Sequence, residues 1–311
     1  MNLIFCGTPQ FAVPTLEKLV AEKFPIQLVI TNPDEPRGRG HKVQPSPVKE
    51  AALRHGLPLF QPAKVKTDET REYLSQYCPD AIVIVAYGHI VPQWMIDLPS
   101  LGCINLHASL LPKYRGAAPI AWAIIRGEKE TGVTTMKIDA GMDTGDMLLE
   151  RHEPIRDDDT TETLGERLSV MGADLMIETL RKLERGDVTP RPQNHGLATQ
   201  APRLKKEDGL IDWSLPAEDI ERRVRGLIPW PGAYTSFRGK RLHIWRAEAV
   251  AAGGLAPASG TISTEGKRLA VACGQQSRLL LHEVQIEGRK RLSAREFMNG
   301  TRVESGEILG T

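Results

Sequence analysis

The chain has 311 residues, 41% of them hydrophobic and 25% charged, with a net charge of +1 at pH 7. That length suits two domains better than one and allows each a core of its own. No apolar run approaches the roughly 18 residues of a membrane-spanning helix, and the start MNLIFCGTPQ lacks the basic and long apolar regions of a signal peptide, so a cytoplasmic protein without a membrane span is expected.

Leu3-Ile4-Phe5 followed by Gly7-Thr8-Pro9 reads as a first strand feeding a tight turn, and Phe11, Leu16, Leu19 and Val20 then share one helix face. This βα start has Gly7 without the further glycines of a dinucleotide fingerprint, so it does not support a nucleotide cofactor. Ile26 to Ile30 is a second strand. The stretch TNPDEPRGRGHKVQPS, Thr31 to Ser46, is too long and too rich in proline and glycine for an ordinary αβ connection of about 2–6 residues. It reads as a functional loop, mobile between Asp34 and Lys42 in the free protein, and it carries Arg37, Arg39 and Lys42. Pro47 to His55 resumes as a helix with Ser46 as its cap, and Thr67 to Tyr77 is an amphipathic helix. Ala81 to Val85 is an unbroken apolar run, the pattern of a central parallel strand buried on both faces. It ends in the loop Ala86-Tyr87-Gly88.

After a short helix comes Cys103-Ile104-Asn105-Leu106-His107, in which the apolar residues alternate with Asn105 and His107. The two polar side chains therefore share one face. An amide that donates two hydrogen bonds and a ring that gains or loses a proton near neutrality suit an oxygen that is becoming negative. Such a pair at a strand end is also commonly a turn asparagine and a surface histidine. The strand breaks into Ala108-Ser109-Leu110-Leu111-Pro112, where proline ends the ladder, and in an open α/β sheet that is where ligands bind. A second β-like run, Gly132 to Ile138, leads into a glycine-bracketed acidic turn, Gly141-Met-Asp143-Thr-Gly145, able to bring a carboxylate against the histidine or to cap its own glycine.

Pro119 to Arg126 and Thr160 to Arg185 are helical in pattern, the second with Leu164, Leu168, Met171, Leu175, Ile177 and Leu180 as its apolar stripe. From Gly186 to Asp208 the pattern dissolves into prolines, polar residues and the basic cluster Arg203, Lys205 and Lys206, which reads as a linker, bounded as 189–208. Beyond it, Ile220 to Ile228 is a helix, and Arg241–Arg246, Gly260–Ile262, Leu269–Cys273 and Arg278–Val284 are short strands between glycine-bearing turns. The fold class expected is α/β: a Rossmann-like open, mainly parallel sheet over residues 1–188, followed by a small β-barrel, OB-like, over 209–311.

The four cysteines, Cys6, Cys78, Cys103 and Cys273, have neither zinc-type spacing nor the density of a disulfide scaffold, and Cys103 reads as core. Counting Lys and Arg against Asp and Glu gives −3 for residues 1–208 and +4 for 209–311. The basic second half is either a solvated face or a surface for a polyanion.

Asn105-x-His107 with Ser109-Leu110-Leu111-Pro112, and Asp143 within GMDTGD, resembles the active site of the folate-dependent formyltransferases. With IFCGTPQFA, DEPRGRGHKVQPSPVK, AYGHIVP, LKKEDGLIDWS and PWPGAY the resemblance covers essentially the whole chain. It implies 10-formyltetrahydrofolate as co-substrate, no metal, and formyl transfer to the α-amino group of initiator methionyl-tRNA by a monomer. By resemblance Asn105 and His107 hold the oxyanion, and Asp143 orients the ring and relays the amine proton. Ser109, Leu110, Leu111 and Pro112, with Ala86, Tyr87 and Gly88, are the implied folate contacts. Arg37, Arg39, Lys42, Lys205 and Lys206 are the implied tRNA contacts. Two other functions fit the pattern: a folate-using enzyme that formylates a nucleotide sugar or purine precursor or hydrolyses the formyl group, and a non-catalytic RNA-binding module. The basic loop and basic second half favour a tRNA acceptor over a small one. The intact Asn105, His107 and Asp143 speak against a non-catalytic module.

Overall fold

Leu3–Gly7 and Ala81–Val85 are buried along their whole length, and this is why their sequences are unbroken apolar runs. A strand flanked by other strands and covered on both faces has no solvent side to make polar. A computed structural model of the chain describes residues 1–37, 42–251, 257–266 and 268–310. They form two units: Met1–Pro119, Glu130–Pro154 and Gly165–Pro202 in the first, and Ile120–Lys129, Ile155–Leu164 and Arg203–Thr311 in the second.

In chain order the elements up to the linker begin with β1 (Leu3–Gly7), α1 (Val13–Ala21), β2 (Ile26–Ile30), β3 (Glu35–Arg37), β4 (Lys42–Gln44), α2 (Pro47–Arg54) and β5 (Leu59–Phe60). They continue with α3 (Asp68–Ser75), β6 (Ala81–Val85), α4 (Gln93–Ile96), β7 (Cys103–His107), α5 (Pro119–Ile125), β8 (Glu130–Lys137), β9 (Met147–Pro154) and α6 (Thr161–Arg185). Seven strands form one sheet in the order β5-β2-β1-β6-β7-β8-β9. The first five are parallel, and β8 and β9 are antiparallel additions. The chain leaves β1 toward β2 and returns on the other side at β6, so the order reverses between β1 and β6. A doubly wound sheet binds its ligands at the carboxyl ends beside such a reversal. Ala86–Gly88 and the loop after His107 both leave from carboxyl ends on that side of the reversal.

Ser46 caps α2 as expected: its Oγ accepts from the Lys49 N–H at 3.0 Å. Three features depart from the sequence reading. The flanks of the long basic loop pair as β3 and β4, in register Glu35↔Gln44, because their base is pinned: Asp34 accepts from Lys49 Nζ at 2.6 Å and from Gln61 Nε2 at 2.9 Å. The strand β9 was not expected, because Glu150, Arg151, His152 and Glu153 look like loop. As the last strand of the sheet, β9 exposes every second residue, and charges on an edge strand discourage pairing with another chain. Finally, part of the stretch read as a linker is packed: Arg191 bridges to Met147 and Gln200 to Arg115.

In the second unit α7 (Ala217–Gly226) buries Ile220 and Val224. Strands β10 (Ala233–Phe237), β11 (Lys240–Ala251), β12 (Ile262–Glu265), β13 (Arg268–Ala272) and β14 (Ser277–Ile286) form an antiparallel sheet in the order β10-β11-β14-β13-β12, with β15 (Leu292–Ser293) beside β14. The helix α8 (Ala294–Thr301), not anticipated, opens on a capping box in which Ser293 and Glu296 each accept from the other's backbone N–H. Trp213, Phe237, Leu242, Val271, Leu281 and Phe297 are among its buried core.

Helix α6 meets β7 through a glycine. A Cβ built on Gly172 would lie 2.5 Å from Leu106 Cδ2, and Leu106 is buried between the two polar residues of its strand. Gly172→Ala is therefore expected to destabilise the protein by about 1–3 kcal/mol through overpacking, despite the roughly 1 kcal/mol that alanine gains in a helix interior. Urea unfolding checks this, and a gain in stability would show that Leu106 has room to move.

Candidate active site

His107, the last residue of β7, has a side chain only 6% exposed. Its Nε2 lies 2.9 Å from the Tyr114 carbonyl oxygen, which can only accept, so Nε2 carries the proton of that bond. Its Nδ1 lies 3.7 Å from Asp143 Oδ2. Both ring nitrogens thus face acceptors. The structure brings together the two residues that the sequence motif paired. It does so although β7 and β8 are antiparallel, so that the loops following them start from opposite ends of the strand pair.

The carboxylate is fixed from its other side. Asp143 sits in the left-handed region, at φ 53°, and its Oδ2 accepts from the Gly116 N–H at 2.8 Å. Within the same turn Asp139 Oδ1 accepts from the Gly141 N–H and the Thr144 hydroxyl at 3.0 and 2.6 Å. A charge-assisted bond from a backbone N–H is among the stronger hydrogen bonds available to a carboxylate. The turn alternative, Asp143 capping Gly145, is not the arrangement found.

Asn105 pairs with Ile84 on one side and Met136 on the other, and it shares the face of His107 two residues on. Its side chain makes no hydrogen bond to another described residue, which leaves its amide donors for a ligand. The segment after His107 is less available than its motif suggests. Ser109 is fully buried, and its hydroxyl donates to the Lys113 carbonyl at 2.6 Å. Its own carbonyl accepts from Thr134 Oγ1 at 2.7 Å, and Thr134 Oγ1 in turn accepts from the Leu111 N–H. Leu111 is buried, whereas Leu110 and Pro112 are partly exposed. In the Ala86–Gly88 loop the Tyr87 ring is buried in the core, so this loop offers a ligand Ala86, Gly88 and backbone groups.

Of the residues with an expected tRNA role, Lys205 and Lys206 are exposed. Arg39 lies outside the described residues, as do the side chains of Arg37 and Lys42 and residues 38–41 of the segment expected to be mobile. The sequence reading missed Tyr114, Arg115, Thr134, Gln193 and Thr199. Gln193 donates from Nε2 to the carbonyls of Asp143 and Gly145 at 2.9 and 2.8 Å, and the Thr199 hydroxyl accepts from the Tyr114 N–H at 2.9 Å. Arg115 was within view, adjoining the motif. Gln193 and Thr199 act on loops far from them in sequence, and nothing local marks them.

The formyl transferase family pattern matches residues 1–180, and the pattern of the formyl transferase C-terminal domain matches 203–302. A protein named methionyl-tRNA formyltransferase from Koribacter versatilis (strain Ellin345) is 56% identical over 311 residues, spanning 100% of this chain and 99% of the relative. This chain belongs to the methionyl-tRNA formyltransferase family. The family's architecture is found in solved structures of low identity. A methionyl-tRNA formyltransferase from Clostridium thermocellum matches with a TM-score of 0.56 at 21% identity, over 92% of this chain and 98% of that one. The N-formyltransferase from Helicobacter canadensis, solved with folinic acid and dTDP-3-aminofucose, matches with a TM-score of 0.68 at 19% identity, over 90% and 98%.

In this formyltransferase Cys103 has the motif's closest thiol, and burial, then the charge of Asp97, pushes it up to about 12. Burial alone raises Cys273 to about 12 and holds Cys6 well above the ordinary thiol range, with Cys103 adding to the effect on Cys6. Since the thiolate is the reactive form, iodoacetamide at about pH 8 is expected to modify exposed Cys78 in the native protein and all four cysteines after unfolding. Peptide mass spectrometry reads the pattern, and native labelling of Cys103 would contradict it.

Proposed function

We propose that this formyltransferase moves the formyl group of 10-formyltetrahydrofolate to the α-amino group of initiator methionyl-tRNA, giving the N-formylmethionyl-tRNA with which translation starts. The observation that carries this reading is the 56% identity over the full chain to a relative of that name. In the reaction the amine nitrogen bonds to the formyl carbon, the bond from that carbon to the folate nitrogen breaks, and a proton passes from the amine to the departing nitrogen. Between these events the formyl oxygen carries negative charge.

The residues suit these needs. The unengaged Asn105 amide would donate to the formyl oxygen, in the manner of an oxyanion hole. Of the two histidine nitrogens, Nε2 is committed to Tyr114, so Nδ1 would serve the substrates. At 3.7 Å from Asp143 its proton is not tightly held by the carboxylate. Asp143 would stabilise the charged ring and take the proton from the attacking amine through water, while His107 protonates the leaving nitrogen. The Ser109–Pro112 segment and the Ala86–Gly88 loop would form the folate pocket, with Ser109, Leu111 and Tyr87 shaping it from behind. The division of labour proposed gives catalysis to residues 1–188 and tRNA binding to 209–311, joined by 189–208. Arg37, Arg39, Lys42, Lys205 and Lys206 would meet the tRNA backbone. A cytoplasmic monomer fits, since these substrates meet in the cytoplasm and one chain supplies every catalytic side chain.

The test is incubation with 10-formyltetrahydrofolate and methionyl initiator tRNA, scoring N-formylmethionine, with uncharged tRNA and a UDP-amino sugar as controls. Transfer to the sugar alone would overturn the reading. Asn105→Ala, His107→Ala and Asp143→Ala are each expected to lower turnover by roughly 100-fold or more at nearly unchanged melting temperature. A folded His107→Ala protein with near-normal turnover would remove the histidine from the mechanism. Arg39→Ala should impair transfer to charged tRNA while donor hydrolysis continues, because a planar guanidinium serves phosphate or an unpaired base. Equal loss of both would put Arg39 in the folate pocket instead.

A further inference from the structure

Gln193 is 5% exposed and engages both ends of its amide. Its Oε1 accepts from Arg115 Nε and Nη2 at 3.1 and 2.6 Å, and its Nε2 donates to the carbonyls of Asp143 and Gly145. The orientation is unambiguous, because turning the amide over would face NH2 to a guanidinium and oxygen to two carbonyls. Arg115 is likewise 5% exposed, and the described partners of its guanidinium are Gln193 Oε1 and His195 Nδ1.

What this one side chain ties together is the surroundings of the histidine and carboxylate pair. Arg115 lies between Tyr114, whose carbonyl accepts from His107, and Gly116, whose N–H holds the Asp143 carboxylate. The carbonyls gripped by Gln193 are that of Asp143 itself, a non-glycine residue in the left-handed region, and that of Gly145 two residues on. Such a conformation persists where its surroundings over-determine it. The same stretch of chain also holds the other loop: the Arg115 N–H donates to the Thr199 carbonyl at 2.9 Å, and the Ala201 N–H donates to the Arg115 carbonyl at 2.7 Å. A Cβ on Gly116, which has φ 121°, would come 2.6 Å from the Ala201 carbonyl oxygen. Residues 115–116 and 199–201 are thus in direct backbone contact.

We infer that Gln193 is a positioning residue for the transfer reaction, acting through the Asp143 turn to hold that carboxylate against His107, with Arg115 fixing the orientation of its amide. This rests on the participation of Asp143 proposed above. Gln193 itself touches no reacting atom.

Gln193→Glu separates positioning from simple stability. A glutamate keeps an acceptor for Arg115, and gives the buried guanidinium a countercharge, but turns a carboxylate oxygen toward two carbonyl oxygens in place of their donors. The experiment is a double-mutant cycle of Gln193→Glu with Asp143→Asn, measuring kcat and KM for formyl transfer to methionyl initiator tRNA, with thermal melting of each protein. Gln193→Met, close in size and without polar atoms, is run in parallel in case the glutamate variant does not fold. The expectation is a loss in kcat on the order of 10- to 100-fold for either Gln193 variant alone, the scale of a small misplacement of reacting groups. In the Asp143→Asn background the further loss should be less than about 3-fold, because residues acting as one unit are not additive. Equal fold losses in both backgrounds, or wild-type kcat in a folded Gln193 variant, would overturn the inference. Near-normal turnover of Asp143→Asn alone would instead overturn the participation of Asp143 on which it rests.

Discussion

The Gly116 N–H pointing at the Asp143 carboxylate, 2.8 Å away, is the contact on which the site depends. It joins the loop after β7 to the loop between β8 and β9, which start from opposite ends of that antiparallel strand pair. It also fixes the one carboxylate oxygen that faces the histidine ring. Around it nearly every buried polar group is answered, as burial requires. Tyr114 supplies a carbonyl to His107, Thr134 braces Ser109 and Leu111, and Gln193 closes the turn that carries Asp143. Asn105 stands apart among these residues, since its amide is left without a described partner.

The sheet provides the rigid frame for these contacts. Strand β7 is where parallel pairing gives way to antiparallel pairing, with β6 on one side and β8 on the other. Helix α6 backs the same region: Gly172 lets it approach Leu106, and Thr179 Oγ1 lies 2.8 Å from Thr135 Oγ1 on β8. The histidine is therefore mounted on a strand packed from several directions, while its partners arrive on loops. Placing Asn105 and His107 on a strand and Asp143 on a braced loop combines precision with access.

Architecture alone does not choose the acceptor. The fold is matched by a protein solved with an amino sugar nucleotide at a higher TM-score than by the Clostridium thermocellum methionyl-tRNA formyltransferase. The match with the Koribacter relative, by contrast, spans the whole chain at 56% identity. A common scaffold can carry several acceptor specificities when these reside in appended loops and domains. Residues 209–311 carry a net charge of +4 against −3 for residues 1–208.

Much of this molecule was legible in the sequence because the signals are local. Unbroken apolar runs announced β1, β2 and β6, alternation announced β7, the Ser46-Pro47 pair announced the start of α2, and Asn105, His107 and Asp143 stood out by type and spacing. Among the elements that were missed, β9 carries charges because it is an edge, and α8 follows immediately on a two-residue strand. The stretch 189–202 resembled a linker because its side chains are polar, yet those polar groups are the ones the site's loops require. Sequence by itself determined which groups can do the chemistry, since donor capacity and charge belong to the residue. Only the tertiary structure decided which ring nitrogen of His107 faces the Tyr114 carbonyl, that Ser109 is spent inside its own loop, and that Gln193 holds the turn that carries Asp143. Each of these depends on a hydrogen bond whose partner is fixed by distance in space.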